Sequence, residues 1–209
     1  MTGMPDRLRV VGVDEAGRGP IAGPVVAAAA CLTPVQFRVL LSEGLGDSKK
    51  LTERTRERLF ARIEALGVAW VAQAASHRRI DATNILRATL WAMSRCLGTI
   101  DTEGALVVVD GNALVPDIAC ARQMAIPRAD DTVPAVMAAS VIAKVLRDRV
   151  MKRMHDLYPQ YGFASHKGYP TKAHRSVLDV VGPSPIHRLS FGGYNKLKRA
   201  TPVLDSSWR

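Results

Sequence analysis

Asp14 and Glu15 stand side by side at the end of the apolar run Val10-Val11-Gly12-Val13, and Gly17-Arg18-Gly19 follows almost at once. Two adjacent acids directly after such a run offer poor turn chemistry and invite desolvation. Asp110 closes a second apolar run, "ALVVVD", just before Gly111, and Asp130 and Asp131 precede a long helical pattern. Strand ends are where α/β proteins place their sites. If the two strands are neighbours, three or four carboxylates converge, and their repulsion raises their pKa values unless a cation compensates. A divalent cation is the simplest compensation, and oxygen-only donors without a nearby Cys or His favour Mg²⁺ or Mn²⁺ over zinc. Structural uses compete for the same residues: Asp130 or Asp131 as a helix N-cap, Asp110 as an ordinary turn aspartate.

Two further stretches carry chemistry. Gly17-Arg18-Gly19 lacks the third glycine of a dinucleotide fingerprint and the Gly-Lys-Ser/Thr of a phosphate loop. Its glycines nevertheless allow close backbone approach to a ligand, and Arg18 can grip a phosphate with two parallel hydrogen bonds. In residues 158–174, Tyr158, Tyr161, Phe163 and Tyr169 are interleaved with His166, Lys167, Lys172 and His174. Rings that stack on bases beside cations that hold phosphates describe a nucleic-acid surface; the competing use is a loop whose aromatics cover the core. Lys49, Lys50, Lys144, Arg147 and Arg149 would extend that positive face. His166 and His174 are candidates for proton transfer, although a histidine in a basic loop more often contacts phosphate or solvent.

The elements that must position these groups can be read from periodicity. Residues 8–13 and 22–31 read as strands joined by the turn at Gly17–Gly23, a hairpin buried on at least one side. After a polar connection, Thr52 caps a helix carrying Leu59, Phe60, Ile63 and Leu66. "VAWVAQA" reads as a third strand, and Leu86, Leu90, Met93 and Leu97 predict one helix from about Ile80 to Leu97. Residues 105–111 read as a central strand and 119–126 as another. Asp130, Asp131 or Thr132 then caps a long helix striped with Val136, Ala139, Ala143, Leu146, Val150 and Met154, with further helix near 171–181. This order argues for an α/β layered fold over residues 1–209 as a single domain, with a polar tail from about 192.

With 29 Lys and Arg against 19 Asp and Glu, the 209-residue chain carries a net charge of +10, which draws polyanions. Cys31, Cys96 and Cys120 are odd in number and widely spaced, so neither a disulfide framework nor a zinc knuckle is expected; all three read as buried thiols in a reducing compartment. No apolar stretch is long enough to span a bilayer and the first residues lack a signal-peptide pattern. A cytoplasmic protein, monomeric and without a membrane partner, is expected.

The ordered stretches "DEAGRGPIAGPVVAAA", "DSKKL", "NILRAT", "VVVDG", "AASVIAKVLRDR", "YPQYGF", "HKGYPTKAH" and "GPSPIHRLSF" closely resemble ribonuclease HII, the bacterial type 2 ribonuclease H. The resemblance implies a ribonuclease H-like fold, a mixed central sheet flanked by helices on both faces. It places the catalytic, metal-holding carboxylates on Asp14, Glu15, Asp110 and Asp130. "RADD" departs from the family's usual Lys-Gly/Ala-Asp there, so Asp131 is a possible substitute. It further implies recognition of the 2′-hydroxyl at an RNA-to-DNA junction by Gly17, Arg18, Gly19 and Tyr169; the basic residues Lys49, His166 and Lys167, read above from the charge pattern, are also expected to face the substrate. Expected partners are RNA–DNA hybrids and duplex DNA containing ribonucleotides, cut by two-metal hydrolysis with Mg²⁺ or Mn²⁺. With only 13 residues before Asp14, the extra N-terminal domain of the type 3 enzymes is not expected. Family members often continue into a helical extension, whereas this chain changes character after Phe191, so duplex affinity is expected to fall on "HKGY" and the basic long helix.

Overall fold

The computed structural model describes residues 9–46, 48–118 and 122–191. Cys120, the start of the strand read at 119–126 and the polar tail lie outside the described residues. Five strands, β1 (Arg9–Ala16), β2 (Val25–Cys31), β3 (Ala69–Ala75), β4 (Ala105–Asp110) and β5 (Gln123–Ile126), form one mixed sheet in the order β3-β2-β1-β4-β5. β1, β2 and β3 pair antiparallel, while β1, β4 and β5 run parallel. The helices are α1 (Pro34–Ser42), α2 (Glu53–Ala65), α3 (His77–Ala82), α4 (Ile85–Leu97), α5 (Pro134–Leu157), α6 (Phe163–His166) and α7 (Lys172–Val181).

β2 reads VVAAAAC and is buried on both faces, although alanine has little intrinsic strand preference. Tertiary packing decides the matter. Ala27 and Ala29 point into a core with Met93, Cys96 and Leu97 of α4, and Ala28 and Ala30 into one with Leu59 and Phe60 of α2 and Val141 and Ile142 of α5. Small side chains on both faces let helices lie close on either side. The α/β expectation, helices on both faces, is met.

Local readings differ in four places. The single helix expected from Ile80 is two, because Ser76 caps α3 and Asn84 caps α4 with its side chain. Leu86 is exposed and Leu90 half-buried, whereas Met93 and Leu97 are buried as expected and are joined by Ala88, Ala92 and Cys96. α1 lies inside the polar connection; its start is marked by a Thr33–Gln36 capping box with Pro34 in the first turn. α5 begins at Pro134 after Val133 without a side-chain cap, so neither Asp130, Asp131 nor Thr132 fills that role. Along α5, Leu146, Val150 and Met154 are only partly buried, while Arg147 and Met151 are fully so.

Cys96 is a buried thiol that burial pushes up to about 12, and Cys31 is half-buried. Among the described residues no helix is long and apolar enough to cross a membrane.

α5 crosses β1 so closely that Gly12 has no room for a side chain. A Cβ there would lie 2.2 Å from the Ala135 carbonyl carbon and the Val136 nitrogen, both backbone atoms. Gly12→Ala should therefore cost at least the 1–3 kcal/mol, roughly, of an overpacked core. A urea midpoint equal to that of the parent protein would refute this close contact.

Candidate metal centre

Asp14 and Asp110 owe their proximity to strand register. β1 and β4 pair in parallel, with Gly12 beside Val108 and Val13 beside Val109, so Asp14 and Asp110 come next on the same face. Asp130 arrives from a short 3₁₀ turn, Ala129–Asp131, whose Ala129 N–H donates to Asp110 Oδ1 at 2.8 Å. Carboxylate oxygens of Asp14, Asp110 and Asp130 all lie within 4.8 Å of one another. Asp14 and Asp130 are buried.

Glu15 is one residue further along β1 and outside that group of three. Its carboxylate meets Arg18 Nη1 at 3.5 Å, yet the charge of Asp110 still reaches it. Asp131 is turned away, held by Arg128 at 2.5 Å and Lys50 at 3.6 Å, which favours Asp130 for the fourth position.

The electrostatics are those of an acidic pocket whose charge is offset only in part. Burial pushes the Asp14 carboxyl well above the ordinary range, the charges of Glu15 and Asp110 add to this, and hydrogen bonds from Ser140 and the Glu15 N–H, the latter at 2.6 Å, oppose it. Burial also raises Glu15 against the pull of Arg18. Asp110 is raised by burial and then by Asp130. Lys49 answers part of this charge: its Nζ donates to Asp130 Oδ2 at 2.7 Å, a bond that raises its own pKa. Hard oxygen donors, converging and in mutual repulsion, fit Mg²⁺ or Mn²⁺.

Beside the carboxylates lies the Gly17–Pro24 loop. Gly17 has φ +102°, and a Cβ there would lie 2.0 Å from Arg147 Nε and 2.8 Å from the Pro24 carbonyl oxygen, so only glycine fits. Gly19 faces the Tyr169 ring, 3.6 Å from a Cβ built on it. The Ile21 N–H donates to Gly168 O and the Arg188 N–H to Ile21 O, both at 2.9 Å, which ties this loop to the two that follow α6 and α7.

The residues expected to form a broad nucleic-acid surface are used differently. Tyr169 is exposed, but Tyr161 and Phe163 are buried and stacked at 5.4 Å. The Tyr161 hydroxyl donates to Gly182 O at 2.9 Å. Lys167 is buried, donating to Ala164 O and pairing with Glu53 at 3.3 Å. The positive face expected on α5 is not assembled: Lys144 pairs with Asp148 at 2.7 Å, Arg149 with Glu57 at 2.6 Å, and Arg147 is buried.

The histidines form a scaffold. Carbonyl oxygens only accept, so His174 Nδ1–H donates to Tyr169 O at 2.8 Å. His174 Nε2 then accepts from His187 Nε2–H at 3.0 Å, and His187 Nδ1 accepts the Ser184 N–H at 2.8 Å. Both rings are neutral, as burial requires: it lowers His174 and takes His187 down to about 3. His166 donates Nε2–H to Tyr161 O at 2.7 Å and accepts the Gly168 N–H at 3.1 Å. Ser140, His187 and Arg188 escaped sequence reasoning, because a buried polar side chain bonded to groups far along the chain, such as Ser48, His174 or the Gly17 carbonyl, leaves no periodic or spacing signal.

In the metal-free protein the ionised Asp14 carboxylate costs stability above its raised folded-state pKa. The cost vanishes below about pH 4, where the carboxyl is protonated in the folded and unfolded chains alike. With a chelator at pH 8, Asp14→Asn should therefore melt several degrees higher than the parent, about 2–4 °C per kcal/mol gained, and the advantage should fade toward pH 4. Mn²⁺ should raise the melting temperature of the parent far more than that of the variant. A lower melting temperature for the metal-free variant at pH 8 would contradict this electrostatic account.

Comparison with known proteins meets the same frame. The sequence profile described as Ribonuclease HII matches residues 11–193. The chain is 45% identical to the ribonuclease HII of Marinomonas sp. over 90% of its length and 92% of the relative's. It is also 45% identical to that of Coxiella burnetii over 95% of both chains. Among solved structures, ribonuclease H2 of Pyrococcus horikoshii superposes with a TM-score of 0.75 at 27% identity, covering 91% of this chain and 97% of that one. The ribonuclease HII of Archaeoglobus fulgidus, solved in complex with PCNA, gives 0.73 at 25% over 95% and 99%. A Mn²⁺-bound ribonuclease HIII, at 18% identity and a TM-score of 0.72 over 90% of this chain and 68% of that one, shares the fold. With a matching profile over its whole described core and an acidic pocket where two parallel strands end, the chain belongs to the ribonuclease HII family and is an endoribonuclease.

Proposed function

We propose that this endoribonuclease hydrolyses the phosphodiester on the 5′ side of ribonucleotides, both in RNA–DNA hybrids and at single ribonucleotides embedded in duplex DNA. The products are a 3′-hydroxyl and a 5′-phosphate. One juxtaposition carries the reading: the Asp14–Asp110–Asp130 pocket stands beside a glycine loop whose Gly19 faces the exposed ring of Tyr169. Chemistry and substrate recognition then share one edge of the sheet.

Asp14, Asp110 and Asp130 hold the divalent ions, Mg²⁺ or Mn²⁺, with Glu15 completing the set. Those ions, when bound, supply activation of water and stabilisation of the leaving oxygen. The protein's own groups supply the rest. Gly17, Arg18 and Gly19 bring backbone and a guanidinium against the ribose and phosphate, where the 2′-hydroxyl distinguishes RNA from DNA. Tyr169 closes the other side of that groove.

Lys49, now on Asp130, is close enough to the pocket to meet the substrate phosphate once an ion shares that carboxylate. His166, accepting the Gly168 N–H, and Lys167, donating to Ala164 O, act by holding the loop that carries Tyr169. The enzyme works as a single-domain monomer in the cytoplasm.

The test is a duplex carrying one ribonucleotide, an all-DNA duplex and a long hybrid, each incubated with Mg²⁺ or Mn²⁺. The expected outcome is a nick 5′ to the lone ribonucleotide and an intact all-DNA control. Asp110→Asn should lower the rate about a hundredfold or more, since a lost ligand removes several kcal/mol of charge stabilisation. Cutting of the long hybrid with none at the lone ribonucleotide would establish a nuclease without junction preference. Salt-sensitive binding without product would establish a binding module that has lost its chemistry.

A further inference from the structure

Two arginines are completely buried without a carboxylate in salt-bridge range among the described residues, an arrangement that carries a large desolvation cost. Every partner of their guanidinium groups is a backbone carbonyl. Arg147 donates to Pro24 O, Ala22 O and Lys167 O at 3.2, 3.4 and 2.9 Å. Arg188 donates Nη2 to Gly17 O at 2.7 Å, Nη1 to Arg18 O at 3.0 Å and Nε to Gly23 O at 2.9 Å. The planar fork of Arg188 thus takes both carbonyls at the exposed tip of the glycine loop.

That grip has a stereochemical consequence. A peptide unit is planar and trans, so its N–H points opposite its C=O. With Gly17 O and Arg18 O drawn inward to Arg188, the N–H groups of Arg18 and Gly19 are turned outward. Neither makes a backbone hydrogen bond within the described residues, and both residues are exposed. A positive charge behind two peptides also polarises them, strengthening the donors in front. Burial lowers the Arg188 pKa only to about 9, which leaves the guanidinium charged at neutral pH.

We infer that Arg188 is a positioning residue of the substrate-reading loop: it presents the Arg18 and Gly19 N–H groups as paired, preoriented donors for the ribose and phosphate oxygens at the cut. The inference rests on the proposed reading of Gly17–Gly19 as the substrate contact. Lysine, a point donor on a flexible stem, cannot reproduce a three-carbonyl fork.

The experiment begins with the parent enzyme, which must prefer a single-ribonucleotide duplex over all-DNA; if it does not, the functional reading fails and not the role of Arg188. Given that preference, Arg188→Lys should raise KM for the duplex about tenfold or more and erode the preference, with Mn²⁺ binding by calorimetry unchanged. Leu59→Ala, a core variant in α2 remote from the loop, should lose stability but keep KM and preference. A second readout needs no variant. In the parent protein with Ca²⁺, the Arg18 and Gly19 amide resonances should shift, and their hydrogen exchange should slow, when a ribonucleotide-containing duplex binds. Unperturbed amides in the bound complex would overturn the inference. So would an Arg188→Lys enzyme with parental KM and preference, or one whose losses merely track those of Leu59→Ala.

Discussion

Repulsion among buried carboxylates is the constraint around which this fold is arranged. Parallel pairing of β1 and β4 places Asp14 and Asp110 on one face at the same sheet edge, and the 3₁₀ turn before α5 adds Asp130. Water screens Asp14 and Asp130 poorly, since both are buried, and Asp110 is half-buried beside them. The protein offsets the charge only in part, through Ser140, the Ala129 N–H and Lys49. A divalent cation completes the balance, so affinity for the ion and strain in its absence have one origin. Lys49 donates to Asp130 Oδ2, so an ion held by Asp130 would share that carboxylate with an amine.

A second polar construction supports the first. The loop from Gly17 to Pro24 has few side chains with which to hold itself in place, so its shape is imposed from below by the guanidinium groups of Arg147 and Arg188. Tyr169 is steadied in the same manner, through a chain from Ser184 through His187 and His174 to its carbonyl. Glycine-rich backbone at the surface is thus fixed from behind by desolvated guanidinium groups and imidazoles. Under the proposed function, preorganisation of this kind would let weak backbone donors act as a specific reader, because little ordering would remain to be done on binding.

Much of this was legible in the sequence. Asp14, Glu15 and Asp110 announced themselves by ending apolar runs, and the hairpin and central strand followed from β-branched runs and turn residues. The ordered motifs carried the family, and their glycines marked the loop. What could not be read were effects that only tertiary contact decides. Arg147 sits among basic residues and reads as a surface cation, yet the fold spends it on three carbonyls. Tyr161, Phe163 and His174 look like a stacking surface and instead fill a core. Local capping by Asn84 split a helix that hydrophobic spacing had joined, because Leu86 fits the period but faces solvent. Glu15 stays outside the tight group of three because its carboxylate turns to Arg18, a local pairing that the sequence spacing does not reveal, while its charge still couples to Asp14 and Asp110.

Direct observation of the cation decides the central claim. Crystals soaked in Mn²⁺ and measured near the manganese absorption edge should show anomalous density within about 2.5 Å of oxygens from Asp14, Asp110 and Asp130 together. Density confined to other acidic residues, or none in this pocket at saturating Mn²⁺, would contradict the account.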